Sequence, residues 1–290
     1  IWGLVPLYWK ALASVPAVQL ACHRTVWSCL LLVVVLVARR QWKILLSFLR
    51  EPRAGRIIGV YLVAAVLVGL NWWTYVWGVN AGRVVETSLG YFINPLLSVM
   101  LGVVLLRERL RAWQWAPIVC AAAGMVCVTI GHGAAPWIAL TLAATFGLYG
   151  LMKKIAPLGA AHGLTLETAL LTLPALGYLL WCEYAGNGAV MQAGVGQRVL
   201  LVGTGVLTTV PLLMFAVAAR RCPLTLIGIL QYITPTLQFL LGVLVYRESC
   251  SGARLWGFIL VWIGLIVFAV ESVLNYRTQL LALAVHEELS

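Results

Sequence analysis

Residues 29–38 read CLLLVVVLVA, and apolar runs of this kind recur from one end of the chain to the other. In helical form, roughly 20 such residues cross a hydrocarbon core of about 30 Å. A helix also satisfies its backbone amides without water, which an open strand in lipid does not. The pattern therefore predicts an all-α polytopic membrane protein. Composition agrees, because 62% hydrophobic and 10% charged residues lie far from a soluble globular domain. Breaks at charged or Pro/Gly-rich positions separate ten candidate helices: 1–13, 16–38, 57–80, 84–106, 113–131, 135–155, 163–183, 198–219, 224–246 and 253–275. The first is too short to cross. Since the chain opens on Ile1 and not Met, it reads as a helix lacking its start.

A formal charge of +11 raises the question of nucleic acid, but its distribution answers otherwise. With an inside start and ten crossings, fourteen Lys/Arg fall on cytoplasmic segments, from Arg39 to Arg277. Only four (Arg83, Arg198, Arg247 and Arg254) fall outside. This positive-inside bias places both termini in the cytoplasm and assigns the charge to topology, not to a nucleic-acid partner. The seven cysteines lack CxxC spacing and His partners, so neither a metal nor any other cofactor is expected. His132, in GHGAAP, reads as an outer-loop residue.

The stretch GYFINPLLSVMLGVVLLRERL, residues 90–110, is answered 140 residues later by LQYITPTLQFLLGVLVYRESC. That shift pairs Ile93 with Ile233, Pro95 with Pro235, Gly102 with Gly242, Arg107 with Arg247, Glu108 with Glu248 and Gly124 with Gly264. Upstream, a shift of 144 sets Trp2-Gly3 against Phe146-Gly147, Lys10 against Lys154 and His23-Arg24 against Glu167-Thr168. The chain thus divides into two repeats, 1–133 and 134–276, with a tail over 277–290. An odd number of helices per repeat makes the second copy enter from the opposite side. Such inverted repeats typify secondary transporters, whose site lies at the repeat interface near mid-membrane.

Polar residues mark candidate positions for that site. Tyr91, Asn94 and Ser98 share one helical face, and the same shift lands on Gln231, Thr234 and Gln238. Pro95 and Pro235 each lack an amide donor and clash with the carbonyl four residues back, so helix kinks are expected there. These stripes line either a cavity or a helix–helix contact, both common uses of polar side chains in membranes. His23 and Arg24 lie about 10 Å from the outer end of their helix, judged by the rise per residue. Glu167 sits at a mirrored depth toward the cytoplasm. The reading is of gating, substrate-binding or proton-coupling groups, with His23 and Glu167 the coupling candidates; the alternative is a snorkelling Arg and a loop-end Glu. Asn71, Trp72 and Tyr75, from NWWTYVWGVN, are candidate cavity walls. Glu108, between Arg107, Arg109 and Arg111, reads as part of a local ion-pair network. An intramembrane enzyme is not indicated: HExxH is absent, and Trp27, not a nucleophile, stands one turn from His23.

Six segments together carry a resemblance: HRTVWS (23–28), GLNWWTYVWGVN (69–80), ETSLGYFINPL (86–96), LETALLTLPALGYL (166–179), TTVPLLMFAVAARR (208–221) and LQYITPTLQFLL (230–241). They resemble the RarD group of the EamA family, a branch of the drug/metabolite transporter superfamily. The resemblance implies ten helices in two EamA repeats, the bacterial inner membrane, and secondary transport of a metabolite, amino acid or drug. Export is the commoner direction in that superfamily. With both halves in one chain, a monomer or weak oligomer suffices, the lipid bilayer being its other partner.

Overall fold

A computed structural model of the chain describes residues 1–52, 54–81, 84–130, 137–245, 255–256, 259–260, 262–267, 269–271 and 274. His132 and the side chain of Glu86 lie outside the described residues. The described residues form helices and no strand. After a short 3-10 turn, Trp2–Leu4, the helices are α1 (Val5–Ala11), α2 (Ala17–Ala38), α3 (Trp42–Arg50), α4 (Ala54–Asn80), α5 (Val84–Val104) and α6 (Trp115–Ile130). Then come α7 (Trp137–Ile155), α8 (Ala160–Tyr184), α9 (Ala189–Gln192), α10 (Val195–Arg221), α11 (Leu224–Gln231) and α12 (Ile233–Leu240), which ends in a π turn at Leu241–Val245. Among the described residues, six stretches are long and apolar enough to cross a membrane, and two shorter apolar helices, Ile93–Val104 and Trp262–Glu271, accompany them. The last expected helix, 253–275, is only partly within the described residues.

Two segments differ from expectation. Helix α3, WKILLSFLR, is a short amphipathic helix between two longer apolar runs, in a stretch expected only as a loop. The predicted helix 224–246 is divided at Tyr232, whose amide bonds to Ile229 in a tightened turn. Pro235 removes the amide that would have bonded to Gln231, which accounts for a break there. By contrast, α5 runs through Pro95 without interruption.

Burial runs opposite to that of a soluble helix. In α2 the outward stripe is apolar, with Leu30, Val34 and Val37 all more than half exposed. Its buried face carries Gln19, His23, Thr25 and Ser28 beside Leu32 and Leu36. Lipid is as apolar as leucine, so small and polar groups, which pack closely and bond across helices, go inward. Helix α2 packs on α8 and α10, while α5 packs on α7 and α11. Glycines permit two of these contacts. A Cβ on Gly205 would sit 2.6 Å from the Trp27 carbonyl carbon, and one on Gly228 would sit 2.7 Å from the Pro95 oxygen. The largest core cluster joins Leu32, Ala64, Val68, Tyr149, Leu164, Leu212, Phe215, Ala219 and Ile227.

Candidate functional site

A cavity of about 140 Å³ lies among α1, α2, α4, α5, α7, α10, α11 and α12. Its wall includes Arg24, Asn71, Trp72, Tyr75, Tyr91, Asn94, Gln231, Thr234 and Gln238, which are nine of the eleven residues proposed from the sequence to bind substrate. Pro95 and Pro235 also border it. The structure thus brings both proline-bearing polar stripes to one space. Ser98 stays outside, pressed on the α5–α11 contact where a Cβ on Gly228 would meet it. His23 is also outside the wall; it is buried, and its Nε2 has no hydrogen-bond partner. Trp73 is exposed on the outer surface of α4.

Arg24 is held on three sides. Its Nε donates to Thr208 Oγ1 at 3.1 Å, across the α2–α10 crossing that Gly205 permits. Its guanidinium carbon lies 4.2 Å from the Trp72 ring centroid and 5.6 Å from that of Trp9. A guanidinium over an indole is favourable by about 0.5–2 kcal/mol, which offsets part of the cost of a charge at this depth. Tyr75 and Tyr91 meet edge to face at 5.9 Å and lie within electrostatic range of Arg24. Asn71 uses its amide to tie α4 to α7, donating to the Leu142 carbonyl and to Thr145 Oγ1. Asn94 donates to Gln231 Oε1 at 3.1 Å, joining the two polar stripes directly; Asn94 Oδ1 and Gln231 Nε2 are left without partners.

Trp2, Trp9, Phe146 and Thr208 belong to the wall but were not among the candidates. The shift of 144 that pairs Trp2 with Phe146 is the one sequence signal that would have suggested two of them. Thr208, a single hydroxyl in an apolar helix, carries no such signal.

Away from the cavity, two acidic residues have partners that the sequence did not suggest. Glu167 accepts from Lys153 Nζ at 2.6 Å and from the Tyr149 hydroxyl at 3.1 Å, with both members of the ion pair almost wholly buried. Tyr149 and Lys153 are one helical turn apart on α7, so a single face meets Glu167 on α8. Lys153 was expected to mark the cytoplasmic surface; here it serves as an interior partner. Glu108 turns away from its neighbouring arginines. It accepts from the amides of Leu224 and Thr225 at 2.8 and 2.9 Å, and it lies 3.3 Å from Lys154 Nζ. The preceding Arg107 adopts a left-handed conformation (φ 54°), which reverses the chain after α5 and directs Glu108 to the start of α11. No side chain of α11 itself caps that start, and its N-cap is Pro223. Burial pushes the Glu108 carboxyl pKa up, but the two amides and Lys154 outweigh it and hold it below the ordinary value.

Comparison with known proteins completes the description. Residues 1–130 match the EamA-like transporter family. The chain is 43% identical to "Protein RarD" of Streptomyces exfoliatus, over 96% of this chain and 87% of that protein. It is 44% identical to "Uncharacterized transporter YojE" of Bacillus subtilis, over 94% and 91%. A solved crystal structure superposes with a TM-score of 0.67 at 22% identity, covering 92% of each chain, a likeness of fold alone. With such similarity along almost its whole length, the chain belongs to the EamA-like transporter family.

Proposed function

We propose that this protein is a secondary transporter of small metabolites or drugs, working by alternating access in the bacterial inner membrane, with export as its net direction. The carrying observation is the cavity where the two proline-bearing polar stripes meet. Ten helices in two inverted halves, 1–133 and 134–276, would rock around this space with both termini in the cytoplasm. The names of the family and of YojE support transport without specifying a cargo.

At the inner end, Glu108, Lys154 and the start of α11 make a polar clamp between the two halves. Its release would accompany opening toward the cytoplasm. Of the two coupling candidates, His23 has unused hydrogen-bonding capacity, whereas both oxygens of Glu167 are engaged.

Purified protein in liposomes tests the reading through counterflow with a panel of amino acids, other metabolites and antibiotics. Saturable exchange is expected for at least one class, and Asn94→Ala should suppress it while leaving folded protein in the membrane. Absence of exchange across the panel, with correctly folded protein, would favour a non-transporting accessory role.

A further inference from the structure

Arg24 is the one charged side chain of the described cavity wall, and no described carboxylate neutralises it. All nine acidic residues of the chain are glutamates. Among the described side chains, Glu51 is exposed at the end of α3, Glu108 serves α11, Glu167 pairs with Lys153, Glu183 accepts from the amides of Val190 and Met191, and Glu271 pairs with Arg111. None of them borders the cavity. Only Nε of Arg24 is used, on Thr208; the two terminal nitrogens make no hydrogen bond to a described residue. The guanidinium plane is fixed by Trp72 on one side and by the Thr208 bond at its inner edge. A guanidinium in that condition presents a fork shaped for the two oxygens of a carboxylate.

The rest of the wall sets the body of such a ligand. Trp72, Tyr75, Tyr91 and Phe146 offer aromatic surface, and Asn94 and Gln231 offer neutral polar edges. The volume is close to that of a cavity able to hold a single benzene-sized ring. No carboxylate of the described wall is present to receive an ammonium group. We infer that the cavity selects a small organic acid, an anionic head on a flat apolar or aromatic body without a neighbouring ammonium, and that Arg24 is the residue that takes the anion. This rests on the reading of the cavity as the transport site.

Four nitroaryl quenchers of tryptophan fluorescence test it on the full chain in nanodiscs: para-nitrobenzoate, its near-isosteres para-nitrobenzamide and para-nitrobenzylamine, and the longer zwitterion para-nitrophenylalanine. The carboxylate should bind at least about tenfold more tightly than the other three, the scale of one charge-assisted contact. Arg24→Gln should remove that preference and Arg24→Lys should restore part of it, with size exclusion confirming that both variants remain monodisperse. Equal or tighter binding of the amide, amine or zwitterion, or a preference unchanged in Arg24→Gln, would overturn the inference.

Leu207→Trp, which fills the cavity from α10, separates this failure from that of the transport site. If it abolishes binding of all four probes while none prefers the carboxylate, the cavity remains the site and the anion assignment falls. If para-nitrobenzoate binds as before in this variant, the probe sits elsewhere and both readings fall. No saturable binding of any probe to the unaltered protein would likewise overturn the assignment.

Discussion

Lys153 and Glu167 meet at 2.6 Å between α7 and α8, with Tyr149 on the second carboxylate oxygen, and almost no part of the pair is exposed. Arg24, on the cavity wall, has indoles and one hydroxyl around it and no carboxylate among its described neighbours. Both are charges within an apolar body, where an unpaired ion is costly. We read the difference as one of role. A pair with each carboxylate oxygen bonded holds two helices in register, whereas the open donors of Arg24 suit the ligand proposed above.

Removing one member of the complete pair gives the largest effect. Glu167→Ala strands Lys153 and should cost about 3–5 kcal/mol, seen as a large fall in melting temperature or loss of folded protein. Replacing both, as in Lys153→Met with Glu167→Leu, should recover most of that loss; if the single variant melts like the parent, the pair is not structural. Glu108→Gln is next. The glutamine oxygen can keep one of the two backbone amides, but its NH2 cannot accept from the other and the charge is lost, at a cost of about 1–2 kcal/mol, allowing for partial exposure. In a background where Cys222 is the sole cysteine, maleimide labelling from the inner side should become faster; an unchanged rate would remove Glu108 from the clamp.

The same clamp has a predicted pH dependence. Its carboxyl pKa is depressed on folding, so its contribution is complete above the unfolded value of about 4.3 and is lost as pH falls through the lower folded value. Cys222 labelling should therefore be flat between neutral and mildly acidic pH and rise only under strong acid. The smallest stability change belongs to Arg24→Gln, at about 1 kcal/mol or less, since only the indole contacts and one hydrogen bond are lost. If it instead melts as poorly as Glu167→Ala, Arg24 belongs with the structural charges and the contrast dissolves.

Much of the helical order was legible because spanning length and backbone satisfaction depend on local composition. Thus α2, α7 and α8 begin and end within a few residues of their expected limits. The shared face of Tyr91 and Asn94 was legible for the same reason, since helical period fixes which residues point together. What period does not fix is the rotation of one helix against its neighbour. Hence Ser98, one turn beyond Asn94, meets Gly228 and not the cavity, and His23 is turned from the wall that Arg24 joins. Thr208 and Trp9 became visible only when α10 and α1 were placed against α2. Lys153 and Glu108 were misjudged for a related reason: counting charges by segment treats each as solvated, and tertiary contact decides which is not.

The interruption at Tyr232 divides one predicted rod into two shorter ones. The first rod, α11, is gripped at its beginning by Glu108 and along its side by α5. The second rod, α12, carries Thr234 and Gln238 to the cavity. An unbroken helix would transmit any tilt of its first turn to those two side chains, whereas a joint at Tyr232 lets the end held by Glu108 turn with less movement of the wall beyond it.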